Sequence, residues 1–321
     1  MLALITLLTI PAWAQGPESY GLPHLFSLPT ATTTRQFGMG GMTSCVQDIG
    51  FPNPAFAGAL DGAQAAVRFS CTDFDNGLKL KGTQAWYADT LGEGKGYQIL
   101  GFLLDSNEGT FTTPLGPLSG TVNETDVAFH YGHRLSDQWL VGVGLAPMLK
   151  TKSELTHPLT GDTIVRWDSK ATFGGRVGAL YQFAPEGFAG FVLDHYKEDV
   201  TMQMAGQPDA EFDFTSTEWA LGVSGRIDEK LLGAIEWMQL TSKDGDFEGE
   251  AEGLHLGLEY SAAPGVAVRA GSSDGALTLG AGYSRDGWVV NYAFISDWND
   301  DSVGEMLGGS DTHQLEVGKY W

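Results

Sequence analysis

From about residue 62 to its end, the chain repeats one unit: roughly ten residues of apolar and polar alternation, a turn signal, and another such run. Leu254, Leu256, Leu258 and Tyr260 share one phase, and Gly253, His255, Gly257 and Glu259 share the other. Leu277, Leu279, Ala281 and Tyr283 oppose Thr278, Gly280, Gly282 and Ser284 in the same way, as Trp288, Val290, Tyr292 and Phe294 oppose Val289, Asn291 and Ala293. A period of two puts successive side chains on opposite faces of a pleated strand. One face of each strand is apolar, and the other is small or polar.

A secreted sandwich and a membrane barrel both produce this alternation, and connection lengths separate them. Short turns stand at 135–137, 184–187, 227–230, 262–265 and 285–287. Longer polar loops at 151–163, 199–213, 242–251 and 296–312 lie mostly between them, and 272–275 is a short exception. Tight turns on one side and long loops on the other are the pattern of an outer-membrane barrel. The runs begin near Gln64, Leu78, Tyr97, Asp126, Gln138, Trp167, Gly187, Thr215, Leu231, Gly253, Val266, Ala276, Trp288 and His313. The expectation is an all-β fold, an antiparallel transmembrane β-barrel of about 14 strands with an N-terminal plug or hatch segment.

Composition agrees. Glycine contributes 44 residues and charged residues only 18%, with aromatics at 11%, several of them at strand ends where membrane girdles belong. The formal net charge of -22 excludes a nucleic-acid partner, because phosphate binding needs a basic face. No run reaches the ~18 apolar residues of a membrane helix, so a membrane form has to be a barrel.

Three parts follow. Residues 1–14 read as a signal peptide, an apolar run ending in the small-x-small site Ala12-Trp13-Ala14. Residues 15–61 do not alternate and form a periplasmic or plug segment rich in Gly, Pro and Thr. Residues 62–321 are the barrel. The chain closes with His313, Leu315, Val317, Lys319 and Trp321 on alternate positions, an ending like the signal read by the barrel-assembly machinery. The predicted location is the bacterial outer membrane, with its lipid as a partner.

Within 15–61, Arg35 precedes Met39, Gly40 and Gly41. Asp48 follows, and Asn53, Pro54 and Ala55 stand just before the first strand. In order and spacing these residues resemble the FadL/PorV superfamily of outer-membrane barrels. The stretch Thr43 to Gln47 departs from that family's alanine-rich pattern. The resemblance implies a plug motif at Met39, Gly40, Gly41, Asn53, Pro54 and Ala55. It also implies passage of hydrophobic small molecules that leave sideways through a gap beside a kinked strand. Gly174-Gly175 and the Gly142/Gly144 pair are places where a strand can bend. A PorV-like component binding secretion-system proteins, or a structural barrel, remains an alternative.

Ten charged residues fall on the phase opposite the apolar face and are the expected lumen-facing set: Arg68, His130, Arg176, Glu218, Arg226, Glu236, His255, Glu259, Arg269 and Glu316. Inward charges of both signs pair across a lumen or hold a plug. No histidine lies in a recognisable catalytic motif, so no catalytic residue, metal or cofactor is expected. Acidic pairs such as Asp244/Asp246 and Asp300/Asp301 lack the spacing of a calcium loop. Cys45 and Cys71 allow a disulfide in an oxidising compartment. Cys71 also shares the apolar phase of Val67 and Phe69, where an unpaired thiol sits equally well.

Overall fold

The computed structural model describes residues 33–75, 77–106, 109–113, 116–157, 159–169, 174–244, 247–296 and 309–321. The signal peptide expected at 1–14 lies outside these residues, as do Asp246, Asp300 and Asp301. A short helix α1 (Thr34–Phe37) and a 3-10 helix η1 (Pro54–Ala59) precede the strands. The strands are β1 (Gln64–Phe74), β2 (Lys79–Gly92), β3 (Lys95–Ser106), β4 (Gly109–Thr113), β5 (Gly116–Arg134), β6 (Trp139–Thr156), β7 (Thr163–Ser169), β8 (Gly174–Ala184), β9 (Gly187–Met204), β10 (Ala210–Arg226), β11 (Leu231–Asp244), β12 (Phe247–Ala263), β13 (Val266–Ser273), β14 (Ala276–Arg285), β15 (Trp288–Ser296) and β16 (Ser310–Tyr320).

Every described pairing is antiparallel. β1 pairs with both β2 and β16, and β5 pairs with β6, so the sheet closes on itself. β4 continues β3 along β5, and β7 and β8 lie in succession between β6 and β9. Counted as crossings, the strands form a closed 14-stranded barrel. Closure removes the unpaired edge that any open sheet presents.

The barrel is inside out relative to a soluble protein. On β12, Leu256 is 44% exposed and its neighbour His255 only 6%. On β16, Val317 is 41% exposed while Glu316 is fully buried. Leu254, Leu258, Tyr260, Leu277, Leu279, Tyr283, Trp288, Val290 and Tyr292 are likewise on the outer face. An outer surface this apolar is stable against lipid rather than water. Among the described residues, no helix is long and apolar enough to cross a membrane.

Tight turns join the strands at one end. Asp286 and Gly287, both with positive φ, connect Arg285 to its partner Trp288, the two-residue turn that matches strand twist. Asp274 and Gly275 do the same at the other end, which explains the short connection on the long-loop side.

Strands run further than the alternation predicts. β5 starts at Gly116 rather than near Asp126, β10 at Ala210 rather than near Thr215, and β12 at Phe247 rather than near Gly253. Much of the expected loops is therefore paired hairpin. Beyond the lipid the outer face need not be apolar, so the alternation fades while backbone pairing continues.

The wall is irregular on β6. Between the pairs Phe129↔Leu145 and Val127↔Met148, β6 carries one residue more than β5, at Ala146-Pro147. Pro147 has no N–H to give a ladder. This one-residue bulge of β6 lies beside Gly174, the predicted bending position, which pairs with Ala146. Bulges of this kind bend a strand and end pairing locally.

Candidate functional site

The described part of the N-terminal segment packs against the inner wall. Its local folds follow from sequence. Thr33 and Gln36 form a capping box, with the Gln36 amide donating to Thr33 Oγ1 at 3.3 Å and the Thr33 amide to Gln36 Oε1 at 3.0 Å. Asn53 caps η1 by accepting the Ala55 amide at 3.0 Å, with Pro54 at the first helical position. Gly40 and Gly41 have positive φ. A side chain on Gly271 of β13 would come within 2.7 Å of the Gly40 nitrogen, so backbone meets backbone here.

Polar wall residues receive the segment at successive strands. Glu259 on β12 accepts both Arg35 Nε at 2.9 Å and Arg35 Nη2 at 2.8 Å, and also Arg269 Nε at 2.6 Å. Arg269 continues to Asn291 at 3.0 Å, Asn291 to Glu316 at 3.0 Å, and Glu316 accepts the Thr34 amide at 3.2 Å. Glu236 accepts the Thr43 amide at 2.8 Å and the Ser44 amide at 2.6 Å. His255 meets the Gly40 carbonyl at 2.6 Å, and Ser224 donates to the Cys45 carbonyl at 2.7 Å.

The opposite wall holds Phe51 to Ala59. Gln98 brackets the Phe51 backbone, accepting its N–H and donating to its carbonyl, each at 3.0 Å. His130 lies 3.3 Å from Gln98 and stacks on the Phe51 ring. Arg176 on β8 pairs with Asp194 on β9 and donates to the Pro52 carbonyl at 2.9 Å. Phe51, Ala55, Phe56 and Ala57 pack with Leu140, Leu180 and Phe188 in an apolar cluster. Charged and polar groups fix the early segment, and Gln98, Arg176 and apolar packing together fix its end. Satisfying buried polar groups in this way fixes one register of the segment on the wall, because an unmatched group would cost about 1–3 kcal/mol.

Of the ten predicted charges, Glu259 and Arg269 come together around Arg35. Arg68 lies opposite Glu316 in the β1–β16 register and 5.9 Å from the Trp86 ring. Glu218 stands opposite Asp194, the partner of Arg176. Arg226 is elsewhere: it is exposed at the end of β10, paired with Glu186 of a tight turn and donating to the Glu229 carbonyl at 3.2 Å. The alternation gives its face but not its height. Gln98, Asp194, Asn291, Thr43 and Ser44 also take part and were not singled out. Asn291 stands on the polar phase of its strand and Asp194 shares a phase with Glu198, signals available for them, whereas Gln98 shares its phase with Leu100, Phe102 and Leu104, and Thr43 and Ser44, which give Glu236 their hydroxyls as well as their amides, lie where no alternation runs.

Met39, Asn53, Pro54 and Ala55 are all buried. Cys45 and Cys71 are both free thiols. Among the described residues no group of His, Cys, Asp and Glu is arranged to hold a metal ion.

No protein-family model and no curated protein matches the sequence. Solved structures do match in fold. The toluene transporter TbuX of Ralstonia pickettii aligns with a TM-score of 0.64 at 14% identity, over 92% of this chain and 100% of that one. A Pseudomonas aeruginosa FadL homologue aligns with a TM-score of 0.61 at 11% identity, over 90% and 98%. The toluene transporter TodX of P. putida gives 0.60 at 12% identity, over 89% and 97%. The likeness is one of fold, the barrel that these two toluene transporters and the FadL homologue share.

Proposed function

We propose that the protein is a bacterial outer-membrane channel for hydrophobic small molecules, with residues 15–61 as a plug and residues 62–321 as the barrel. Residues 1–14 direct export, and the C-terminal strand β16 engages the barrel-assembly machinery. The observation that carries the reading is a closed barrel, apolar outside, whose interior receives a polar-latched segment and whose wall bulges on β6 beside Gly174. Met39, Gly40, Gly41, Asn53, Pro54 and Ala55 form the plug motif. The lumen-facing charges anchor that plug, with Arg226 at the rim.

An apolar molecule enters at the long-hairpin end and meets the plug. Sideways exit beside Gly174 lets it reach the lipid without crossing an aqueous space. The bulge on β6 supports this route, because it breaks the β5–β6 ladder next to the place where the wall would have to part. The neighbours' toluene transport supports the substrate class. The role is passage rather than chemistry.

Uptake of radiolabelled toluene tests the reading. A Gram-negative host carrying the full chain in its outer membrane takes up toluene faster than vector cells, and deleting residues 33–61 admits polar antibiotics as well. Equal uptake with and without the barrel refutes the channel, and antibiotic exclusion after the deletion refutes the plug.

A further inference from the structure

On the inner face toward the long hairpins, two chemistries stand side by side. In the β3–β5 register Leu104 lies opposite Glu124, and Phe102 opposite Asp126. Leu80 on β2 extends the apolar side, and all three apolar residues are buried. This patch stands about six residues along β5 from His130, roughly 20 Å beyond the contacts of Phe51 at the strand rise of 3.3–3.4 Å.

Glu124 is 3% exposed, and among the described residues its Oε2 has no hydrogen-bond partner. The charges felt at Glu124 are those of Asp126 and of Glu198, which stands on β9 and is itself buried. A carboxylate held out of water beside two others is costly until a donor, best a cationic one, reaches it. The apolar wall next to it supplies no metal ligands. What fits is an apolar body with one cationic donor.

We propose that this inner face selects hydrophobic molecules bearing an ammonium group. The apolar body lies along Leu80, Phe102 and Leu104, and the cation meets Glu124 with Asp126 and Glu198 behind it. Hydrophobic anions are turned away by the same carboxylates. The inference rests on the channel reading and narrows its substrate class.

Benzylamine, toluene and benzoate, which share one ring size and differ in charge, are the probes. Their uptake is compared in cells carrying the full chain and in cells carrying the E124Q/E198Q variant. Wild-type cells take up benzylamine faster than benzoate by about tenfold, and the variant removes most of that ratio while toluene uptake stays unchanged. Toluene uptake above vector with a benzylamine-to-benzoate ratio near one overturns this inference and leaves the channel standing. A variant with unchanged heat-modifiability and an unchanged ratio overturns it equally. If no probe enters faster than in vector cells, the channel reading falls and the selectivity with it. Should the variant fail to fold, the wild-type ratio decides.

Discussion

Arg176 donates to the Pro52 carbonyl at 2.9 Å from a position two residues after Gly174, where β8 begins next to the bulged wall. One side chain therefore ties the end of the N-terminal segment to the wall beside the β6 bulge. Its partner Asp194 is buried on β9, the strand on the other side of β8.

Replacing Arg176 by Gln leaves the Asp194 carboxylate buried without its cation. Removing one partner of a buried pair costs about 3–5 kcal/mol. The R176Q barrel is expected to unfold at lower urea concentration by that measure, and the R176Q/D194N double variant to recover much of the loss. An unchanged midpoint for R176Q means the pair contributes nothing.

Glu236 accepts the successive amides of Thr43 and Ser44. In E236A those amides lose their acceptor, at about 1–3 kcal/mol for buried groups. Their hydrogen exchange is expected to accelerate by one to two orders of magnitude while exchange along β14 and β15 is unchanged. Equal acceleration throughout would mean global rather than local loosening.

The outer face carries a prediction of opposite sign for the two environments. Leu256 points outward from β12. An arginine there costs about 2–4 kcal/mol if it faces the lipid midplane. L256R should fold poorly into lipid vesicles, whereas on a soluble protein the same exchange would be harmless or improve solubility.

Asp228, in the turn between β10 and β11, accepts the Lys230 amide at 2.7 Å and the Leu231 amide at 2.8 Å, and these bonds hold its carboxyl below the usual aspartate range. A depressed folded value means the contribution is present above the unfolded pKa and fades as pH falls through the folded one. Amide exchange in this turn is therefore expected to differ between wild type and D228A at neutral pH, and to converge below the aspartate range. A difference that persists in acid would assign the effect to something other than the carboxylate.

Particular residues show what the sequence made legible. Leu254, Leu256 and Leu258 announce their face because lipid requires an apolar side chain at every second position, whatever the partner strand. Arg226 shares the phase of the lumen charges yet sits at the rim, because phase carries no height. The union of Arg35 with Glu259 joins positions far apart in the chain, and no spacing rule encodes such a meeting. It depends on the path of the segment across the wall, set by backbone contacts such as that of Gly40 with Gly271. The long hairpins of β5, β10 and β12 carry no such signal for a related reason: outside the lipid, backbone pairing no longer imposes a hydrophobic period.

The most direct test of an inside-out barrel in the outer membrane is electrophoresis of the outer-membrane fraction with and without boiling. A faster-migrating unboiled band in that fraction is the predicted result, since a closed barrel stays folded in cold detergent. A soluble protein whose mobility is the same boiled and unboiled would contradict the membrane barrel and the channel reading built on it.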